Sequence, residues 1–215
     1  MKQEKPIIAT TLSGLFIKKE AWDKAHILWY QEAARKLQDD SILEWINRLD
    51  YFKGVDEVMQ RLHPELTEEE RTRAARKTFF DSVIQFIQEN PGTKNKEIIN
   101  YFQELKSRFT LALVTTNTKQ ALDKILAATG LSELFDLVET SDETEKDDKR
   151  AVFERFVKKH GKPVIYIGGD RKDSFDYCKE NKIPCIYANL EKAEEIPGVE
   201  SVHNLSELKK KLDSL

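Results

Sequence analysis

The chain has 215 residues, of which 40% are hydrophobic and 34% are charged, and its formal net charge at pH 7 is −3. This length and apolar content suit one α/β domain with an insertion, or a core with a small second domain. Basic and acidic residues nearly balance and form no basic block, so we expect no binding to nucleic acid. The N-terminus lacks a signal pattern, and no apolar run approaches the ~18 residues of a membrane span. We therefore expect a soluble, cytoplasmic protein that does not bind membranes.

The first predicted element is a short apolar run. Residues 7–10 have the pattern of a buried parallel strand. From about 19 to 90, tryptophan, leucine and charged residues recur at helical spacing. Within that stretch, 41–44 and 67–70 resemble capping boxes, and Gly54 is expected to interrupt a helix. We therefore predict about four helices and no strand in this part of the chain.

After Asn90, the signals for strands and helices alternate to the end of the chain. This alternation predicts a Rossmann-like α/β fold, in which helices cover both faces of a parallel sheet. The predicted helices are at about 93–107, 118–129, 148–160, 175–181 and 205–212, and the predicted strands are at 109–115, 135–139, 164–167, 185–188 and near Val202.

The helical stretch follows the first strand directly, which suggests where it lies. Ligands of open parallel sheets bind at the carboxyl ends of the strands. An insertion that leaves the tip of the first strand is expected to cover that crevice. We therefore predict a core formed by residues 1–17 and 91–215, and an all-α cap formed by residues 18–90.

Polar residues follow two of the later strands. Thr115 and Thr116 end one strand just before a helix, where hydroxyls and backbone amides suit phosphate binding. The alternative is that Thr116 or Thr118 simply caps the helix. Lys146 precedes another helix and could neutralise a phosphate, or it could be a solvated residue of a charged loop.

A third strand ends in Gly168, Gly169 and Asp170. Asp170 and Asp173 could together hold Mg²⁺, which prefers oxygen ligands. The alternative is that one of them caps the helix that follows. The sequence alone leaves both possibilities open.

The order and spacing of these segments resemble the haloacid dehalogenase-like hydrolase superfamily, in the subgroup with a helical cap after the first strand. The resemblance covers nearly the whole chain. It implies that Thr115 donates a hydrogen bond to phosphate, that Lys146 is the lysine of the third motif, and that Asp170 helps to bind Mg²⁺. The proline that usually follows the third-motif lysine is Asp147 here.

The first motif of that family is altered. Members carry an aspartate nucleophile at the end of the first strand, and the phosphatases carry a second aspartate two residues later as general acid and base. Here these positions hold Thr10 and Leu12. A threonine hydroxyl needs an adjacent base to become nucleophilic, and leucine cannot transfer protons. The fourth motif of the family has a later carboxylate, and its position holds Ser174 here; Asp173 lies one residue earlier.

We therefore predict a catalytically impaired member that retains at most the binding of phosphate, another inorganic anion or a small phosphorylated ligand. Mg²⁺ binding is expected to be weakened, because position 10 lacks its carboxylate. One alternative is a divergent Mg²⁺-dependent hydrolase of a small phosphorylated metabolite, with a carboxylate from the cap; Glu20 and Asp23 are the nearest acids. The other is an interaction protein that uses the cap.

Overall fold

The centre of the molecule is a six-stranded parallel sheet. The computed structural model describes residues 5–48, 51–169 and 171–215, with the backbone alone for 51–53. The strands are β1 (Ile7–Thr10), β2 (Thr110–Thr118), β3 (Leu137–Ser141), β4 (Ile165–Gly168), β5 (Cys185–Ala188) and β6 (Glu200–Val202).

β1 lies inside the sheet, between β2 and β4, in the strand order β3-β2-β1-β4-β5-β6. Thr10, the last residue of β1, is opposite Leu113 of β2 and Ile167 of β4. Since the strands are parallel, their C-terminal ends lie along one side of the sheet. We call this side, which includes Thr10, Thr118 and Gly168, the carboxyl edge. Ligands of open parallel sheets bind there.

Helices lie between consecutive strands of the chain, except between β5 and β6, as the alternating pattern predicted. None of the described helices combines the length and the apolar composition that a membrane-spanning helix needs. The helices are α1 (Glu20–Leu37), α2 (Tyr51–Leu62), α3 (Glu68–Glu89), α4 (Lys96–Leu105), α5 (Lys119–Thr129), α6 (Lys149–His160), α7 (Lys172–Glu180) and α8 (Leu205–Leu212), with 3₁₀ segments at Asp40–Asn47 and Pro91–Thr93.

Two apolar clusters cover the two faces of the sheet. Ile8 belongs to the first and Ala9 to the second, as expected for neighbouring side chains of one strand. The first cluster includes Phe102 of α4, Leu122 of α5 and Leu208 of α8, and the second includes Phe153 of α6 and Phe175 of α7. The predicted Rossmann-like α/β arrangement is confirmed.

The helical insertion, α1 to α3, has an apolar cluster of its own. Trp29, Tyr30 and Met59 pack together in it. At the base of the insertion, however, Ala21 of α1 and Val83 of α3 belong to the first cluster of the sheet. The insertion therefore shares buried surface with the sheet, and the division into domains at residues 18 and 90 stays a prediction.

The caps within the insertion show one success and one error of the sequence prediction. The capping box at Thr67 is confirmed, since the Thr67 N–H donates to Glu70 Oε2 at 2.8 Å and the Glu70 N–H donates to Thr67 Oγ1 at 3.3 Å. The prediction of a capping box at 41–44 is wrong. Asp39 is the cap there, and its carboxylate accepts from the Ser41 N–H at 3.1 Å. The segment that follows is a 3₁₀ helix, so the insertion has three α-helices in its described part.

Gly54 does not interrupt a helix; it lies within α2. The reason is a contact with the Trp45 indole. A Cβ atom at position 54 would lie 2.3 Å from Cδ2 of Trp45, closer than packed carbon atoms approach. Glycine is therefore needed here for space, and the sequence pattern does not reveal that contact.

Two turns at the carboxyl edge touch through their backbones. Gly14, in the turn after β1, has φ +76°, a conformation that glycine adopts readily. Gly169, in the turn after β4, lies so close that a Cβ atom on it would be 2.1 Å from the Ser13 carbonyl oxygen. This contact sets the spacing of the two turns that frame the tip of β1.

The substitution Gly169→Ala should therefore lower the free energy of unfolding by about 1–3 kcal/mol, because one backbone must move to admit the methyl group. Chemical denaturation followed by circular dichroism measures the change. Gly92→Ala is the control, since a Cβ atom there meets nothing within 4 Å. Its effect should stay within about 0.5 kcal/mol. Equal stabilities of the two variants would contradict the close contact.

Candidate functional site

Thr10 occupies the nucleophile position of the predicted first motif. Its side chain is fully buried, with 0% relative exposure. The hydroxyl donates a hydrogen bond to the Ala112 carbonyl of β2 at 3.0 Å. A threonine nucleophile must instead give its proton to a base. The structure therefore uses the Thr10 hydroxyl to join two strands.

Leu12 occupies the acid/base position. It is 1% exposed and belongs to the first apolar cluster, together with Leu15 and Phe16. The turn that carries it is held by hydrogen bonds from the N–H groups of Phe16 and Ile17 to the Leu12 carbonyl, at 3.1 and 3.2 Å. Position 12 therefore contributes to the core.

Thr115 and Thr116 lie at the carboxyl edge, near the end of β2. Thr115 is buried, and its hydroxyl oxygen accepts a hydrogen bond from the Asn117 N–H at 3.1 Å. Thr118 is the N-cap of α5, where its hydroxyl oxygen accepts from the Ala121 N–H at 3.3 Å. Capping thus falls to Thr118, and phosphate binding by Thr115 and Thr116 stays a prediction.

Lys146 points from the loop before α6 toward the helical insertion. Its Nζ lies 3.1 Å from Asp56 Oδ2 of α2 and 3.0 Å from Glu68 Oε1 of α3. The hydrogen bonds to Glu68 and Asp56 raise the pKa of the Lys146 ammonium. An anion that bound Lys146 would compete with both carboxylates. Its predicted role in phosphate binding stays a prediction.

A second lysine, Lys149, is more deeply placed. It is the first residue of α6, and it is 2% exposed. Its ammonium donates to the Val114 carbonyl of β2, directly before Thr115. A buried ammonium requires polar partners of this kind. Lys149 therefore brings a positive charge to the carboxyl edge, beside the threonines.

Arg171 follows β4 and is the N-cap residue of α7. Its Nη1 donates to both carboxylate oxygens of Asp147 at 2.7 Å, and its Nη2 donates to Asp173 Oδ2 at 2.6 Å. Nη1 also lies 3.5 Å from Thr116 Oγ1. Burial opposes the charged form of Arg171, but Asp147 and Asp173 outweigh it and raise the pKa of the guanidinium.

These contacts bring the guanidinium to the carboxyl edge of the sheet. Arg171 lies in the turn after β4, and Thr116 belongs to β2. β1, which ends at Thr10, is the strand between β4 and β2.

Arg76 of α3 ties the helical insertion to the same edge. Its Nη2 donates to the Thr116 carbonyl, and its Nη1 donates to the Glu145 carbonyl and to Ser141 Oγ, the latter at 3.3 Å. Burial lowers the pKa of Arg76, and the surrounding carboxylates oppose that shift. The guanidinium remains charged at neutral pH. The insertion is thus anchored beside the candidate site.

The family model for haloacid dehalogenase-like hydrolases matches residues 47–188, about two thirds of the chain. This chain belongs to the haloacid dehalogenase-like hydrolase family. The matched region contains β2 to β5 and begins after β1, so it leaves out Thr10 and Leu12. A comparison with curated protein sequences gives no match.

Solved structures of haloacid dehalogenase-like proteins have the same fold as this chain. A HAD phosphatase from Thermococcus onnurineus superposes with a TM-score of 0.65 and 18% identity, covering 96% of this chain and 97% of its own. β-Phosphoglucomutase from Clostridium difficile gives 0.60 and 17%, covering 99% and 98%. A HAD-hydrolase from Bacillus subtilis, solved bound to magnesium, gives 0.60 and 14%, covering 98% and 100%. At these identities the likeness shows the fold alone.

The described carboxylates of the haloacid dehalogenase-like site do not fit Mg²⁺. Asp170, the predicted ligand, lies outside the described residues. Asp173 is engaged by Arg171, and it also accepts a hydrogen bond from the Ser174 N–H at 2.9 Å. Mg²⁺ demands several oxygen ligands in octahedral geometry. Over residues 5–48, 51–169 and 171–215, no group of three or more His, Cys, Asp or Glu side chains could hold a metal ion.

Sequence reasoning did not identify three basic residues of this site: Arg76, Lys149 and Arg171. A signal existed for Lys149, because Asp148 is a good N-cap and places Lys149 at the start of a helix. Arg171 directly follows the Gly169-Asp170 motif, which could have drawn attention to it. Arg76 lies in the middle of a helix of mixed charge, and no local sequence signal distinguishes it from the neighbouring charged residues.

We expect Arg76→Ala to lower the free energy of unfolding by about 1–3 kcal/mol, because it leaves the Thr116 and Glu145 carbonyls without their partner. Urea denaturation measures the loss. Arg73→Ala is a matched control on the same helix, since that side chain is 57% exposed and its ion pair with Glu143 is long, at 3.7 Å. The control should cost less than about 0.5 kcal/mol. Equal losses would show that Arg76 does not anchor the insertion.

Proposed function

We propose that this chain is a haloacid dehalogenase-like protein that no longer hydrolyses phosphate esters through an aspartyl-phosphate, and that its remaining role is to bind an anion or a small phosphorylated ligand. The observation that carries this proposal is the state of Thr10. The nucleophile position holds a fully buried hydroxyl that is hydrogen-bonded to a backbone carbonyl. Such a group has neither the negative charge nor the access that attack on phosphorus requires.

Two further features support the proposal. Leu12 lies in the apolar core, so the acid/base position offers no proton-transfer group. Arg171 reaches from the turn after β4 to Thr116 of β2, the two strands that flank β1, at the edge where ligands of open parallel sheets bind. A substrate phosphate would have to compete with Asp147 and Asp173 for that guanidinium.

Anion binding at the carboxyl edge is supported by the groups that surround it. Thr115 still has a hydroxyl proton to donate, since its oxygen serves as an acceptor for the Asn117 N–H. Lys149 and Arg171 bring positive charge to the same place. Lys146 can contribute only by leaving Asp56 and Glu68. The proposed ligand is therefore an inorganic anion or a small phosphorylated molecule that displaces internal carboxylates.

A panel of phosphate esters tests the loss of hydrolysis. With Mg²⁺ present, we expect turnover to be lower than that of an active member by about 10⁴-fold or more, as when catalytic residues are removed from other enzymes. Release of inorganic phosphate measures the rate. Asp170→Ala is the control. Robust turnover that disappears in Asp170→Ala would favour the alternative, a divergent Mg²⁺-dependent hydrolase. Isothermal titration calorimetry with inorganic phosphate tests the anion binding that we propose the chain retains.

Restoring both aspartates should not restore activity. In the double variant Thr10→Asp/Leu12→Asp, the new carboxylate at position 12 enters an apolar cluster. Burying an unpaired charge destabilises a protein by about 3 kcal/mol or more. We therefore expect lower stability in urea and no gain of phosphatase activity. The control is Leu12→Met, which keeps an apolar side chain of similar volume and should cost less than about 1.5 kcal/mol. A stable, active double variant would show that the rest of the catalytic site is intact.

A further inference from the structure

The guanidinium of Arg171 is shared between two carboxylates that come from different elements. Asp147 belongs to the loop before α6, and Asp173 belongs to the first turn of α7. Nη1 is 2.7 Å from each Asp147 oxygen, while Nη2 and Nε are 2.6 and 3.2 Å from the two Asp173 oxygens. The planar fork of arginine suits such paired contacts. Four carboxylate oxygens thus converge on one cation.

We propose that Arg171 is an internal cation that replaces a divalent metal at the carboxyl edge of the sheet. The guanidinium engages Asp147 and Asp173 together and leaves the cluster one net negative charge, and the wild-type chain needs no Mg²⁺ to hold the two carboxylates together. The proposal concerns the same edge as the proposed function. The proposal for Arg171 is tested by metal binding, whereas the proposed function is tested by hydrolysis, so either one can fail while the other holds.

The position of the guanidinium supports this inference. It lies at the carboxyl edge, because Arg171 follows β4 and reaches Thr116 of β2, and these are the two strands that flank β1. The side chains of Arg171 and Asp147 are only 30% and 22% exposed, so water screens their attraction less than at an open surface. A divalent ion placed between the same carboxylates would meet a like charge at short range. The two cations therefore exclude each other.

The surroundings hold Arg171 in place. Gly169, two residues earlier, is packed against the turn after β1, which limits how far the start of α7 can move. Asp173 is itself oriented by the Ser174 N–H, at 2.9 Å from Oδ1. Arg171 is thus fixed at its backbone and at its guanidinium. A long side chain fixed at both ends can act as a permanent ligand of two carboxylates.

Binding of Mn²⁺, measured by electron paramagnetic resonance on the full chain without substrate, tests the proposal. The wild type should bind no stoichiometric Mn²⁺ below about 1 mM, the range of weak protein sites for divalent ions. Arg171→Gln removes the charge and frees the two carboxylates. It should bind one Mn²⁺ per chain at least about tenfold more tightly than the wild type, since the repelling charge is gone. Tight binding by the wild type, or no gain in Arg171→Gln, would overturn the proposal.

Two further variants locate the effect. Arg150→Gln removes one positive charge from a side chain that is 48% exposed and pairs with Glu180, and it should leave Mn²⁺ binding unchanged. Arg171→Gln combined with Asp147→Asn and Asp173→Asn should lose the gained binding. Retained binding in that triple variant would place the ion elsewhere and contradict the proposal.

If circular dichroism shows that Arg171→Gln is unfolded, Arg171→Met takes its place. Methionine removes the positive charge and keeps a long, unbranched side chain that packs adaptably. It should bind one Mn²⁺ per chain at least about tenfold more tightly than the wild type. Wild-type behaviour in a folded Arg171→Met variant would contradict the proposal.

Discussion

The pairing of β1 between β2 and β4 is the constraint on which the rest of this structure depends. β1 is short, buried on both faces and hydrogen-bonded to parallel neighbours on both sides. It brings the ends of three strands to one edge, although their residues are far apart in the chain. Thr10 lies at that edge, and Arg171 reaches Thr116 there, for that reason. The turns after β1 and β4 then touch through Gly169, which leaves little freedom in how they are arranged.

The charges at the carboxyl edge are largely satisfied within the protein itself. Arg76 and Lys149 donate to backbone carbonyls near the end of β2, while Lys146 and Arg171 each lie between two carboxylates. An anion at Lys146 or Arg171 would have to replace an internal carboxylate first. The contacts of Arg76 and Lys146 also join the helical insertion to the rest of the protein.

The elements of the fold could be predicted closely where the signals are local. Strands β1 and β5 and helix α8 have the predicted bounds, and α5 ends at Thr129 as predicted, directly before Gly130, whose φ is +74°. Apolar periodicity and capping residues act over a few positions, so they can be read directly. Gly54 could not be interpreted in this way. Its role depends on the Trp45 indole, which reaches it from a different element.

The sequence by itself determined the family and the absence of aspartates at positions 10 and 12, because both follow from residue identity and order. It also determined that strands and helices alternate, since that pattern is carried by neighbouring residues. Only the tertiary structure decided that the Thr10 hydroxyl joins β1 to β2, and that Arg171 lies between Asp147 and Asp173. Such contacts depend on which strands are neighbours and how their loops pack, and no local pattern in the chain encodes that arrangement.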